Sequence, residues 1–245
     1  MKISIPLLQE TFKDLNYTWD NSINLIGIRT SLQVPDVFND IFFAIWKQPA
    51  PPSISNVLAD QKWLNSWLFV GANGKPLVED GIPGKNTTYA KDMAYKLNGQ
   101  YRIKSWTFTA DPGTYYLENP LSKKGTAVLK SGQYIKSYAL GHHRKKESHP
   151  ALLQVGKVTV YRDNDKDDIA ETIGNKLETG FFGINIHRAS SNVTSKIINK
   201  WSAGCQVFAN KKDHTQLLTL CRNFREAKHN RFTYTLINEK MLKNS

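Results

Sequence analysis

Residues 181–190 read FFGINIHRAS, and residues 201–205 read WSAGC. Taken as a strand, FFGINIH places Phe182, Ile184 and Ile186 on one face. Phe181, Gly183, Asn185 and His187 fall on the other, because successive strand side chains alternate. The first face is the core face, so His187 is expected to point off the aliphatic core at the strand's end. Eighteen positions downstream, Cys205 follows Ser202-Ala203-Gly204. Three small residues leave the approach to a thiol open, and Gly204 lets local N–H groups turn towards one point, as an oxyanion hole requires. Cys205 is therefore either a buried structural thiol or a nucleophile with His187 as its base.

The chemistry of such a pair is simple. A free thiol has a pKa of about 8.5, so little thiolate exists near neutral pH. A neighbouring imidazole that takes the proton makes the sulfur a competent acyl acceptor, and the imidazolium then protonates a leaving amine. A third group should orient His187; Asn185, Ser190 and a backbone carbonyl are the candidates. Cys221 differs, lying on the apolar stripe of an expected helix as a packed thiol.

Composition narrows the field. The chain has 245 residues, 40% of them hydrophobic, which supports a real core. No apolar run reaches the roughly eighteen residues that span a bilayer, so no membrane insertion is expected. The opening MKISIPLLQETFKDL lacks a cleavage site, and no secretory signal is expected. The net charge of +12 favours an anionic partner such as nucleic acid or an acidic polymer. The densest basic run, HHRKKESH at 142–149, has no interleaved aromatics, and nucleic acid is not the expected partner. It reads as a basic surface loop rather than a metal cluster of His142, His143 and His149. Two cysteines make no disulfide framework, and with no CxxC or HExxH no metal or organic cofactor is expected. GANGK and GIPGKNT read as turns, not phosphate loops.

Along the chain, Leu8, Phe12 and Leu15 suggest a helix over 4–16. INLIGIRT reads as a strand, and FNDIFFAIW is ambiguous between strand and helix. KQPAPPS at 47–53 marks a boundary or long loop. Trp63 and Trp67 sit at helical spacing, as core residues rather than a glycan platform. Tyr89, Met93 and Leu97 predict one face of a helix. From residue 101 short strand-like runs follow one another: RIKSWTFTA, TYYLE, TAVL, QYIKSYAL, KVTVYRD, FFGINIH and CQVFA. Asp213 with Gln216 suggests a capping box opening a helix, and RFTYTLIN a final strand. The expectation is an α+β fold, with an N-terminal region of unknown role over 1–100 and a mostly β domain with flanking helices over 101–245. Within it, YRDNDKDD alternates Asp163, Asp165 and Asp167, with Asp168 next. Alternating carboxylates ligate calcium in some loops, but Asp168 holds the place of the sixth-position glycine and Gly174 that of the closing glutamate. A solvated acidic turn is expected.

The region 101–212 resembles the catalytic domain of the L,D-transpeptidases, cysteine enzymes that remodel bacterial peptidoglycan. Their histidine, loop, then Ser/Thr-His-Gly-Cys is matched by His187, a loop, then Ser202-Ala203-Gly204-Cys205. LKSGQYIKSYAL is similar to the family's upstream turn and strand, with Gly132 and Tyr134 in the matching places. The resemblance implies Cys205 as nucleophile, His187 as general base, Gly204 and Cys205 as oxyanion donors, and Ser202 as the residue shaping the loop. Tyr134, Gly132, His143, Asn185 and Arg188 are the candidate substrate contacts. Ala203 departs from the family's second histidine and Val207 from its usual Asn or Arg, which leaves the acceptor open between an amine and water. The implied partner is peptidoglycan, reached after release from the cytoplasm, as by a phage lysin, or within a virion. The alternative is an inactive basic protein that keeps the fold and binds cell wall or nucleic acid.

Overall fold

The computed structural model describes residues 3–32, 34–53, 56–143, 148–172, 176–228 and 230–242. In chain order the elements are α1 (Ile5–Asp14), β1 (Ile23–Arg29), β2 (Asp40–Lys47), α2 (Val57–Ser66), α3 (Lys85–Lys96), β3 (Tyr101–Thr109), α4 (Thr114–Glu118) and β4 (Thr126–Leu129). They continue with β5 (Gly132–His143), β6 (His149–Gln154), β7 (Val158–Asp163), β8 (Leu177–Gly180), β9 (Ile186–Arg188), β10 (Gln206–Phe208), α5 (Lys211–Lys228) and β11 (Phe232–Asn238). The fold is α+β and dominated by strands.

Among the described residues, eight strands close a barrel in the order β1-β11-β5-β6-β9-β10-β3-β2. Two of its pairings are parallel, β1 with β11 and β9 with β10. A second, antiparallel sheet has the order β4-β7-β8. Aromatic side chains fill the barrel: Phe42 stacks on Tyr234 at 5.6 Å and meets Phe108 edge-on at 5.3 Å. Rings in these arrangements add to the stabilisation that burial itself supplies.

The expected boundary between residues 100 and 101 falls inside this barrel, between β2 and β3, which pair along their whole length. β1 and β2 are buried on both faces. Leu25, Phe42, Ala44 and Trp46 face the central core, whereas Ile26, Ile28, Phe43 and Ile45 pack with Leu8 and Phe12 of α1. A strand covered on both sides carries a continuous apolar run, which is why FNDIFFAIW could not be told from a helix by period.

Other elements differ from expectation in instructive ways. TYYLE is the short helix α4, not a strand, and of its residues only Leu117 is buried. In α3 Met93 and Leu97 of the expected face pack against the core, but the fully buried positions are Ala90 and Ala94, and Tyr89 is exposed. α5 is capped by the Asn210 side chain, which accepts from Lys212 N and Asp213 N, while Gln216 accepts from the Trp106 indole at 2.9 Å. Trp67 is buried in the core and Trp63 packs against it, as the reading of both as core residues expects. No described helix is long and apolar enough to cross a membrane.

Candidate functional site

The strand around His187 is shorter than the sequence suggests. Gly183 has φ +71°, outside the extended region, and regular pairing begins only at Ile186. The face assignment nevertheless holds. Ile184 and Ile186 are buried in the central core with Phe182 packed against it, and His187 alternates with them along the chain. His187 is still 97% shielded, since its exposure is 3%, and the His143 and His149 rings lie against it.

The parallel register pairs Gln206 with Ile186 and Val207 with His187, and Gln206 N donates to Asn185 O at 2.9 Å. Paired residues share a face, so His187 and Val207 belong to one side of the β9–β10 edge, and Cys205 lies in the loop directly before β10. On the other side Gln206 enters the barrel, where its amide accepts from Tyr234 Oη at 2.7 Å and donates to Ala110 O at 3.1 Å. This buried polar chain fixes the backbone beside Cys205, and sequence reading missed it; a glutamine in phase with Phe208 is the signal that points to it.

Cys205 is half-buried, and its Sγ is held by backbone on two sides. Asn185 N–H donates to it at 3.4 Å, and the thiol donates to Gly183 O at 3.4 Å. The loop before it is tightly tied. Buried Ser202 donates through Oγ to Cys205 O at 2.8 Å and accepts from Gly204 N at 3.2 Å. Ser202 O in turn accepts from Gly113 N at 2.9 Å. The Gly204 N–H expected at an oxyanion is thus engaged by Ser202. Gly204 is required for another reason: its φ is +123°, and a Cβ there would stand 2.3 Å from Ala127 O of β4.

His187 Nδ1 lies 2.8 Å from Arg188 O. A carbonyl only accepts, so Nδ1 carries the proton and Nε2 holds the lone pair. Of the three candidate orienting groups, the backbone carbonyl is the one engaged. Burial, followed by repulsion from His143, pushes the His187 pKa well below its ordinary value, which keeps the ring neutral. His143 stacks on His187 with centroids 4.3 Å apart and planes 11° apart, and His149 meets both rings edge-on. Asn185 sets His143 in turn. Its Oδ1 accepts from Gln154 N at 2.8 Å, so its Nδ2 donates to His143 Nδ1 at 3.0 Å.

A cavity of about 370 Å³ opens on this stack, lined by His143, Ser148, His149, His187, Arg188 and Trp201 among others, but not by Cys205. Arg188 donates to Ala189 O at 3.0 Å on its rim. Residues 144–147, the centre of the expected basic loop, lie outside the described residues. Gly132 and Tyr134 are not part of this site. They lie at the opposite end of β5 from His143, and Tyr134 is buried with its hydroxyl donating to Lys130 O and to Thr159 O. Both are therefore barrel positions away from the His143 end of β5. Ala203 is half-buried, and Val207 packs with Phe38, Ala189, Ile198 and Ala209. The chain matches no family model, no curated protein and no solved structure.

Proposed function

We propose that the chain is a cysteine acyltransferase or peptidase of the L,D-transpeptidase type, acting on peptidoglycan stem peptides. What supports this reading is the parallel β9–β10 pairing, which brings the loop that carries Cys205 beside the strand that carries His187, and Arg188 O, which leaves His187 Nε2 with its lone pair. In the reaction, the Cys205 proton passes to His187 Nε2 and the thiolate attacks a stem-peptide carbonyl. The oxyanion is met by the Cys205 backbone N–H. Collapse expels the amine, which takes the proton back from His187, and leaves a thioester. An amine or water then releases the acyl group. Ser202 holds the loop, Asn185 and His143 support the base, and Arg188 and His149 line the cavity beside it.

The second reading, an inactive wall- or nucleic-acid-binding protein, has one observation in its favour. The larger cavity, about 620 Å³, lies elsewhere, lined by Arg102, Lys104, Asn192, Lys211 and Lys212 among others. Mass spectrometry of sacculi digested with wild type and with Cys205→Ala separates the two. New cross-links or shortened stems from wild type alone are expected, and identical product maps would sink the catalytic reading. Iodoacetamide should label Cys205 ahead of Cys221, and more slowly after His187→Ala.

A further inference from the structure

Residues 163–171, DNDKDDIAE, hold five carboxylates and one lysine in a chain whose net charge is +12. The sequence suggests a solvated turn, but the first of these carboxylates is not solvated. Asp163, the last residue of β7, has no exposed surface. Its Oδ2 accepts from Glu171 N at 2.9 Å. Its Oδ1 is shielded from water and has no hydrogen-bond partner. A buried carboxylate oxygen without a donor is costly, and proteins normally supply a hydrogen bond, a cation or a metal.

What lies beside it is more negative charge. Carboxylate oxygens of Asp163, Asp165 and Glu171 all fall within 4.8 Å of one another. We infer that the end of β7 is a calcium site formed by Asp163, Asp165 and Glu171. The donors are all hard oxygens, which suit calcium or magnesium better than thiolate- or imidazole-seeking metals. Calcium binds oxygen at about 2.3–2.6 Å, so ligands across its sphere stand roughly 4.6–5.2 Å apart, wide enough for this set; magnesium at about 2.0–2.1 Å demands a tighter one. Water completes the six to eight ligands calcium takes.

The site has a structural consequence. Asp163 pairs with Thr126 of β4, the strand whose Ala127 O lies against Gly204. A cation here ties the 163–171 loop to the sheet that backs the cysteine loop.

The test uses the full chain, stripped with a chelator and dialysed. Thermal melting and titration calorimetry are run with 5 mM CaCl2, 5 mM MgCl2 and NaCl of equal ionic strength. A Kd on the order of 10⁻⁴–10⁻³ M is expected, which raises the folding constant about 6- to 50-fold at 5 mM calcium. Magnesium should do less and NaCl nothing comparable. Asp165→Asn and Glu171→Gln, both at positions with solvent access, should fold and lose the calcium response, while Asp167→Asn should keep it. Wild type without a calcium response, an equal response to NaCl or magnesium, or a response retained in Asp165→Asn and Glu171→Gln would overturn the site.

Discussion

The cysteine loop depends on one residue having no side chain. Gly204 combines a left-handed φ with a backbone approach to Ala127 O that leaves no space for a Cβ. Gly204→Ala is expected to cost about 2–3 kcal/mol, from conformational strain and local overpacking together. Urea unfolding monitored by circular dichroism checks this; an unchanged midpoint would mean the loop rearranges at little cost. The sequence shows why Gly204 stands out, since a glycine directly before a candidate nucleophile is read as a backbone device. What it cannot show is the partner. β4 lies almost eighty residues earlier (127 against 204), and only the closed fold brings its carbonyl there. The same holds for His143. Its sequence neighbours suggest a basic loop, yet its ring lies flat on His187 because Asn185 and Gln154 hold it there.

At the scale of elements, alternation made most of the strands legible, and the failures have physical causes. β2 is buried on both faces and loses its period. The five residues of α4 have strand-like composition, and the turn at Pro112-Gly113, with Tyr116 N and Leu117 N bonding to Gly113 O, overrides it. β6 and β8 are short and weakly patterned, and they are defined by their neighbours. α5 carries a prediction of its own. Its His214 is 2% exposed, its Nε2 donates to Ile186 O of β9 at 3.4 Å, and burial pushes its pKa down to about 3. The folded state therefore keeps this ring neutral where the unfolded chain protonates it. The resulting stability is complete above pH 6.5 and is lost as the pH falls towards 3. At pH 4.5 the loss is about 2–3 kcal/mol. Asp40 acts in the opposite sense, because burial raises its pKa to about 7. Comparing wild type with His214→Gln isolates the α5 effect. The gap between their unfolding free energies should shift by that amount in favour of the variant between pH 7.5 and 4.5, and a constant gap would rule it out.

For the molecule as a whole, the N-terminal hundred residues supply two of the eight staves of the barrel and the helix that covers them. The fragment 101–245 is therefore expected not to fold. It would expose the edges of β3 and β11 and remove Phe42, Ala44 and Trp46 from the core. Dispersed amide resonances or a cooperative melt from that fragment would contradict the shared barrel. This architecture was the least legible feature of the sequence, because the proline-rich 47–53 stretch reads as a boundary or a long loop, and it is a loop leading out of β2.

The parallel pairing of β1 with β11 also sets a timetable for synthesis. Leu25 meets Tyr234 across 209 residues of intervening sequence separation. At about 5–20 residues per second, a ribosome makes that stretch in roughly 10–40 s. Throughout that interval β1 has β2 on one side and no final neighbour on the other. Closure of the barrel thus waits for β11, and a nascent-chain protease assay should find resistance only when β11 has left the exit tunnel.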